Sequence, residues 1–386
     1  MFEKLLADLE AEHLTRHMAR IESAVGPLIT TGGRQVLLLA SNDYLGLANH
    51  PEVVQAAVRA TELYGAGAGA SRLISGSLPP HHHLEETLAR FKHRDAALVF
   101  GSGYLANLGA IPSLIGRGGL ILADRLCHAS LIDGCRLSEA DFRVYRHNDL
   151  VHLESLLARR RNRRRTLIVT DGVFSMDGDL APLPALVDLA SRYEAQLYID
   201  DAHGTGVMGK SGRGTIEHFH LETAIPFHMG TLSKALGSSG GYVVGPESIV
   251  QYLLNSSRTF IFTTASTPGS AAAATTALNI LQREPERRER LWANRERLYA
   301  GLTNLGFTLA PTASPILPII IGQADRALLF AKTLFAHGVF APAIRPPTVP
   351  DSTSRIRVTV TSEHTTEQLE HALAAFRSAG EAARVI

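Results

Sequence analysis

Two apolar runs, Thr166-Leu167-Ile168-Val169-Thr170 and Gln196-Leu197-Tyr198-Ile199, flank a helical pattern over 183–195, and the second run stops on Asp200-Asp201-Ala202-His203. Strands that are apolar at every position belong to sheets covered on both faces. A helix between two of them makes a parallel crossover. The alternation extends outward from this unit, with strand-like runs at 96–100, 119–122, 142–145, 227–229 and 241–244. The expected fold class is therefore α/β, with a mostly parallel central sheet in a large domain. Downstream, 268–281 reads as an Ala-rich helix and 284–305 as a charged one. Strand 316–321, helix 324–337, strand 355–360 and helix 366–378 follow, an α+β pattern. Upstream, Phe2, Leu5, Leu6, Leu9 and His13 fall at helical spacing, so 1–25 reads as an amphipathic helix, followed by a short β-like segment at 35–39. Three segments are expected: a helical 1–40, a large domain 41–280 and a smaller α+β domain 281–386.

The bulk properties exclude some classes. The 386 residues are 45% apolar and 19% charged, with a formal net charge of +1, which gives no case for nucleic acid or a membrane surface as partner. No uncharged apolar run reaches the roughly 18 residues of a spanning helix. The first twenty residues lack the apolar core of a signal peptide. The two cysteines, Cys127 and Cys135, form no CxxC pair and suit a reducing, cytoplasmic compartment.

Five lysines are present: Lys4, Lys92, Lys210, Lys234 and Lys332. A catalytic amine has to be desolvated or set beside a cation to be partly deprotonated near neutral pH. Lys4 lies at the terminus, Lys92 in the polar cluster Phe91-Lys92-His93-Arg94-Asp95, and Lys332 on an amphipathic helix. Lys234 follows a strand, within Gly230-Thr231-Leu232-Ser233-Lys234-Ala235-Leu236-Gly237, where small residues leave room for a flat ring and hydroxyls offer donors to a phosphate. A surface lysine in a loop is the plainer alternative. Lys210 supports a rival, because Gly204-Thr205-Gly206-Val207-Met208-Gly209-Lys210-Ser211 spells the phosphate-loop pattern of a nucleotide-binding protein. Gly212 and Gly214 oppose the helix that such a loop must open.

Pyridoxal phosphate (PLP) makes separable demands, and the chain has a residue for each. Its phosphate needs backbone N–H groups, often at a helix start, and 96–100 runs into Gly101-Ser102-Gly103-Tyr104. Its ring nitrogen needs a carboxylate, and Asp200 ends an apolar strand, where open α/β sheets bind ligands. His128, in Asp124-Arg125-Leu126-Cys127-His128, follows another strand end, and His203 stands three residues past Asp200. Each signal is weak alone; helix caps, loop acids and structural histidines are common.

Taken together, the residues resemble a known family, the α-oxoamine synthases. These are PLP enzymes of the aspartate-aminotransferase fold (fold type I), and the resemblance runs over about 14–376. It is carried by Ser41-Asn42-Asp43-Tyr44-Leu45-Gly46-Leu47, Gly69 to Gly76, Asp124 to Ser130, Val173-Phe174-Ser175-Met176-Asp177-Gly178-Asp179, Asp200 to Gly206 and Thr231 to Lys234. The resemblance implies that Lys234 binds the cofactor as a Schiff base and moves the Cα proton. It implies that Asp200 pairs with the pyridine nitrogen, that His128 stacks on the ring, and that His203 and Ser175 meet the phenolic oxygen. Ser102, Gly103, Tyr104, Thr231 and Ser233 are implied as the phosphate site. Thr263 or Thr264 of a second subunit would complete it in a homodimer with its active site at the interface. Asn42 and Arg345 are implied ligands of the substrate carboxylate, and Arg16 of the acyl chain's distal carboxylate. The segment Ile344-Arg345-Pro346-Pro347-Thr348-Val349-Pro350 is most similar to the branch that joins L-alanine to a pimeloyl thioester, on CoA or on an acyl carrier protein, in biotin biosynthesis. Glycine C-acetyltransferase, 5-aminolevulinate synthase and serine palmitoyltransferase are the neighbouring branches.

Two further patterns stand outside this set. His81-His82-His83 cannot all face one ion from a helix or strand, so no metal is expected. Arg159-Arg160-Arg161-Asn162-Arg163-Arg164-Arg165 reads as a solvated loop or as a docking patch for an acidic carrier protein.

Overall fold

The structure, a computed structural model, describes residues 1–160 and 165–386. The middle of the basic run, 161–164, lies outside the described residues. Two compact units divide the chain. One comprises His50–Ser175 and Leu180–Pro285, the other Met1–Asn49, Met176–Asp179 and Glu286–Ile386.

The larger unit is built on a seven-stranded sheet. Its order is Ala96–Phe100, Gly241–Gly245, His228–Thr231, Gln196–Asp200, Thr166–Asp171, Leu120–Asp124, Asp141–Tyr145. All neighbours are parallel except along Gly241–Gly245, which runs antiparallel to both of its partners. The apolar runs are buried on both sides because successive side chains feed two separate cores. Ile121, Ala123, Leu167, Val169 and Tyr198 join one, with helices Gly103–Leu114, Ala129–Leu137 and Glu247–Ser256. Leu120, Leu122, Ile168, Leu197 and Ile199 join the other, with helices Leu150–Ala158 and Leu183–Arg192. Helices thus cover both faces, as the continuous apolar strands require.

The smaller unit holds two three-stranded sheets. Leu28–Thr31, Arg34–Leu38 and Val339–Phe340 form one; Ile316–Gly322, Ser354–Thr359 and Ala343–Ile344 form the other. Helices Glu286–Asn304, Ala324–Ala336 and Thr366–Ala382 belong to this unit. The long N-terminal helix expected over 1–25 is a correction: the helix is Phe2–Ala11, and none of its residues is buried. Short helices depend on packing for their stability, and this one has no buried face to extend it. Beyond it, His13 turns to a φ of 58° and the chain goes on without regular structure. Among the described residues no helix is long and apolar enough to cross a membrane.

The phosphate-loop reading of 204–211 fails on geometry. No helix opens at Lys210; the next one is the single turn Thr215–His218. The loop instead closes around an internal anion. The Glu217 carboxylate accepts the Ser211 N–H at 3.1 Å, the Arg213 N–H at 2.9 Å and the Arg213 guanidinium at 2.8 Å. Burial by itself would raise this carboxyl, but Arg213 and the two N–H groups outweigh it and hold it below the ordinary glutamate value of 4.5. An acid with a depressed pKa stabilises the fold above its unfolded-state pKa and loses that contribution as pH falls through the native one. Glu217→Gln should therefore cost about 1–3 kcal/mol near neutral pH. It should also flatten the acid limb of the stability curve below roughly pH 4.5, read by urea unfolding at stepped pH.

Candidate active site

Parallel strands put their carboxyl ends on one edge, and here three neighbours end in aspartate: Asp124, Asp171 and Asp200. Asp200 is 4% exposed. Its Oδ2 accepts from Asn107 Nδ2 at 2.8 Å and its Oδ1 from the Ala202 N–H at 2.9 Å. Asn107 is itself fixed, donating to Ser130 Oγ at 2.8 Å and accepting from the Tyr198 hydroxyl at 2.9 Å. His203 is buried in the turn that follows.

His128 caps helix Ala129–Leu137. Its N–H donates to Asp171 Oδ2 at 2.9 Å, and its Nδ1 lies 2.8 Å from Ser130 Oγ. Partial burial holds the imidazole below its usual pKa; the Asp200 charge pulls the other way and Lys234 reinforces the drop. The residue keeps an exposed face. Asp171 goes in the opposite direction, well above the carboxylate range, through burial first and the neighbouring Asp200 charge second. Asp200, His128, Asp171 and Lys234 therefore share one electrostatic neighbourhood.

Lys234 is half-buried in a tight loop after the His228–Thr231 strand. That loop is pinned by Leu232 N–H to Gly240 O at 3.0 Å and Ser238 N–H to Leu232 O at 2.9 Å. The amine lies 3.4 Å from Thr231 Oγ1. Thr231 in turn presses on the start of helix Gly103–Leu114: a Cβ built on Gly103 would stand 2.4 Å from Thr231 Cγ2. Ser102 caps this helix, its Oγ accepting the Leu105 N–H at 3.1 Å. The N–H groups of Gly103 and Tyr104, in the first turn, have no intrahelical acceptor. The Tyr104 hydroxyl donates to Asp133. Ser233 is exposed and Ser175 half-buried.

An anion-binding helix start, a strand-end carboxylate, a loop amine and a flat imidazole suit a phosphorylated pyridine aldehyde such as PLP. Thr263 and Thr264 sit elsewhere in this unit, on a segment tied to Ala70 through the Ala265 N–H at 3.0 Å. Among the described residues no hydrogen bond joins them to the Ser102–Tyr104 turn.

Asn42, Arg345 and Arg16 belong to the smaller unit. Asn42 Oδ1 accepts from Arg357 at 3.0 Å. Arg345 donates to the carbonyls of His13 and, at 3.0 Å, Thr15. Arg16 reaches Thr348 Oγ1 at 3.4 Å. A cavity of about 980 Å³ within this unit is lined by Arg16, Lys332 and Arg345 beside Leu328, Phe335 and Phe340.

Sequence reasoning overlooks the residues that hold the site residues in place: Asn107, Ser130, Asp171 and Arg357. Asn107 left a signal, an amide inside an otherwise apolar helix that disfavours it. Lys92, read as part of a polar cluster, is 3% exposed. His81 has both ring nitrogens engaged, Nδ1 by the Leu78 N–H at 3.1 Å and Nε2 by Ser266 O at 2.8 Å. His50, Glu52 and Glu284 bring three ligand atoms within 4.8 Å of one another. Arg283 already pairs with the two acids, at 2.6 and 2.9 Å.

The chain matches known proteins along nearly its whole length. Residues 34–376 match the family model for aminotransferase class I and II. The 8-amino-7-oxononanoate synthase of Geobacter sulfurreducens is 49% identical over 97% of this chain and 96% of its own length. That of Symbiobacterium thermophilum is 46% identical, with 97% and 96% covered. Among solved structures, a serine palmitoyltransferase from S. paucimobilis with bound PLP-myriocin aldimine superposes with a TM-score of 0.95 at 34% identity, covering 100% of this chain and 98% of that one. The chain belongs to the aminotransferase class I and II family, in its α-oxoamine synthase branch.

Proposed function

We propose that this chain condenses L-alanine with a pimeloyl thioester, using PLP, to release 8-amino-7-oxononanoate, CO₂ and the free thiol carrier. One observation carries the reading. The amine, the carboxylate and the anion-binding helix start gather on one unit's sheet edge, in a chain 46–49% identical to 8-amino-7-oxononanoate synthases over nearly its whole length. The 34% identity to a serine palmitoyltransferase is lower, so the neighbouring branch fits less well despite the close superposition.

Bound PLP supplies an electron sink for the carbon that bears the amino group. Lys234 Nζ would hold the cofactor, and its amine would take the proton from the amino-acid Cα. Asp200, held by Asn107 and Ala202, would pair with the pyridine nitrogen and keep a proton there. The adjacent charge favours protonation by roughly 1–3 pKa units. His128, oriented by Ser130 and Asp171, would cover the ring face. His203 and Ser175 would meet the ring oxygen. The N–H groups of Gly103 and Tyr104, with the hydroxyls of Ser102, Thr231 and Ser233, would hold the phosphate. Thr263 or Thr264 of a second copy of this chain completes that site.

In the smaller unit Asn42 and Arg345 take the amino-acid carboxylate. The cavity's apolar wall and its Arg16 suit an acyl chain that ends in a carboxylate, since a guanidinium matches a carboxylate with two parallel bonds. The carrier is CoA or an acyl carrier protein, and the Arg159–Arg165 run suits an acidic one.

A product assay tests the reading directly. L-alanine with a pimeloyl thioester should give 8-amino-7-oxononanoate and CO₂, against little turnover with glycine or serine, or with acetyl or palmitoyl thioesters. Better turnover of serine with a long-chain thioester would replace it by the palmitoyltransferase reading.

Asp200→Asn keeps the shape and removes the charge. Loading of PLP should survive, while exchange of the L-alanine Cα hydrogen with solvent deuterium, followed by NMR, should nearly stop. Normal exchange in this variant would assign the role to another carboxylate. Arg345→Ala should weaken L-alanine binding, by about 2–5 kcal/mol if the bound substrate buries the pair and its carboxylate is left unpaired, seen as a rise in KM. An unchanged KM would remove Arg345 from the substrate site.

A further inference from the structure

The turn that follows Asp200 and carries His203 rests on a buried charge pair, which the proposed reaction does not use. Lys92, the last residue of helix Pro79–Lys92, lies 3.6 Å from Asp201, with the two side chains 1% and 0% exposed. Desolvating two ions is costly, and a buried pair often adds nothing to stability over an apolar pair of the same size. Its presence here calls for a local reason.

The bonds supply one. The Lys92 ammonium donates to Thr205 Oγ1 at 2.9 Å and to the Arg213 carbonyl at 2.5 Å. Thr205 Oγ1 also meets the Tyr242 hydroxyl at 2.9 Å. Asp201 Oδ1 accepts the Thr215 hydroxyl at 2.7 Å and its N–H at 3.1 Å. The Asp201 carbonyl closes the turn, accepting the N–H groups of Gly204 and Thr205 at 3.2 and 2.9 Å. Space is kept for the carboxylate by Gly214, at a φ of 113°, where a Cβ would lie 1.6 Å from Asp201 Oδ2. Lys92 thus grips Asp201 and Thr205, the two ends of the turn. His203 lies between them and Asp200 directly precedes them. Burial holds the Lys92 amine down at about 8, and the Asp201 charge is the main force resisting that fall.

We propose that Lys92 is a positioning residue which, through Asp201 and Thr205, sets the angle at which Asp200 and His203 meet the cofactor ring; this rests on the PLP reading above. Lys92 touches neither cofactor nor substrate in this role. It acts from beneath, through the backbone of the turn.

Lys92→Met keeps the length of the side chain and removes its charge and donors. Borohydride reduction of the wild-type holoenzyme comes first. PLP recovered on Lys234 upholds the underlying reading, and PLP on another lysine removes both reading and proposal. The variant should keep wild-type far-UV circular dichroism. In PLP-free protein its amides at 202–205 should exchange hydrogen at least ~10-fold faster, because the clamped turn opens more readily. In the holoenzyme the pH midpoint of the cofactor's visible absorption should move. Misplaced groups should lower kcat by about 10–100-fold, with the KM for L-alanine little changed. Thr205→Val keeps the ion pair and removes the hydroxyl that Lys92 and Tyr242 both meet. It should shift the same readouts in the same direction by less, and it serves if Lys92→Met does not fold. Wild-type exchange at 202–205 with an unmoved absorption midpoint, in either folded variant, overturns the proposal.

Discussion

A nearly dry carboxylate has to be met by donors, and the matching of Asp200 organises much of the larger unit. Its donors come from different directions. Asn107 reaches it from the middle of one helix, and Ala202 turns back to it from the next residue but one. Asn107 can do this only because Ser130, at the start of a second helix, and Tyr198, two residues back on the same strand, hold its amide in one orientation. One strand end, the middle of one helix and the start of another are thereby locked by a four-residue network. Asp124 is matched in the same way, by the N–H groups of Leu126 and Asn148 at 2.8 Å each and by His147 at 2.9 Å.

The pleat turns neighbouring acids into opposites. Tyr198 and Asp200 look toward the core that contains Asn107, whereas Ile199 looks toward the other. Asp201 therefore leaves the ligand edge and goes underneath, to Lys92 and Thr215. Two consecutive aspartates so acquire separate work without separate loops: one faces the candidate site, and the other fastens the backbone that presents it.

Much of this was legible in the sequence where the signal was local. The apolar runs are strands because nothing else buries such residues on both faces, and 96–100 agrees to the residue. The run at 196–199 continues one residue farther, to Asp200. Aspartate disfavours strands, yet here it pairs with Asp171 and Met229 on either side. Periodicity overextends the N-terminal helix because it reports a face without reporting whether anything covers it. Lys92 escaped for the opposite reason: its neighbours in sequence are polar. Yet it stands four residues past Leu88 and eight past Leu84, both fully buried, so helical spacing alone puts it on the inner face. Partnerships such as Arg357 with Asn42, across 315 positions, leave no local trace.

The loop around Glu217 shows how a motif can be present and already satisfied. Its N–H groups point at an anion, as the glycine pattern promises, but the anion is a side chain of the same chain, a few residues away. A tethered ligand binds as an intramolecular partner, at the effective concentration its short tether sets. Such a nest is occupied from the moment it folds. It answers to acidity, which can discharge its occupant, and is indifferent to how much phosphate surrounds it.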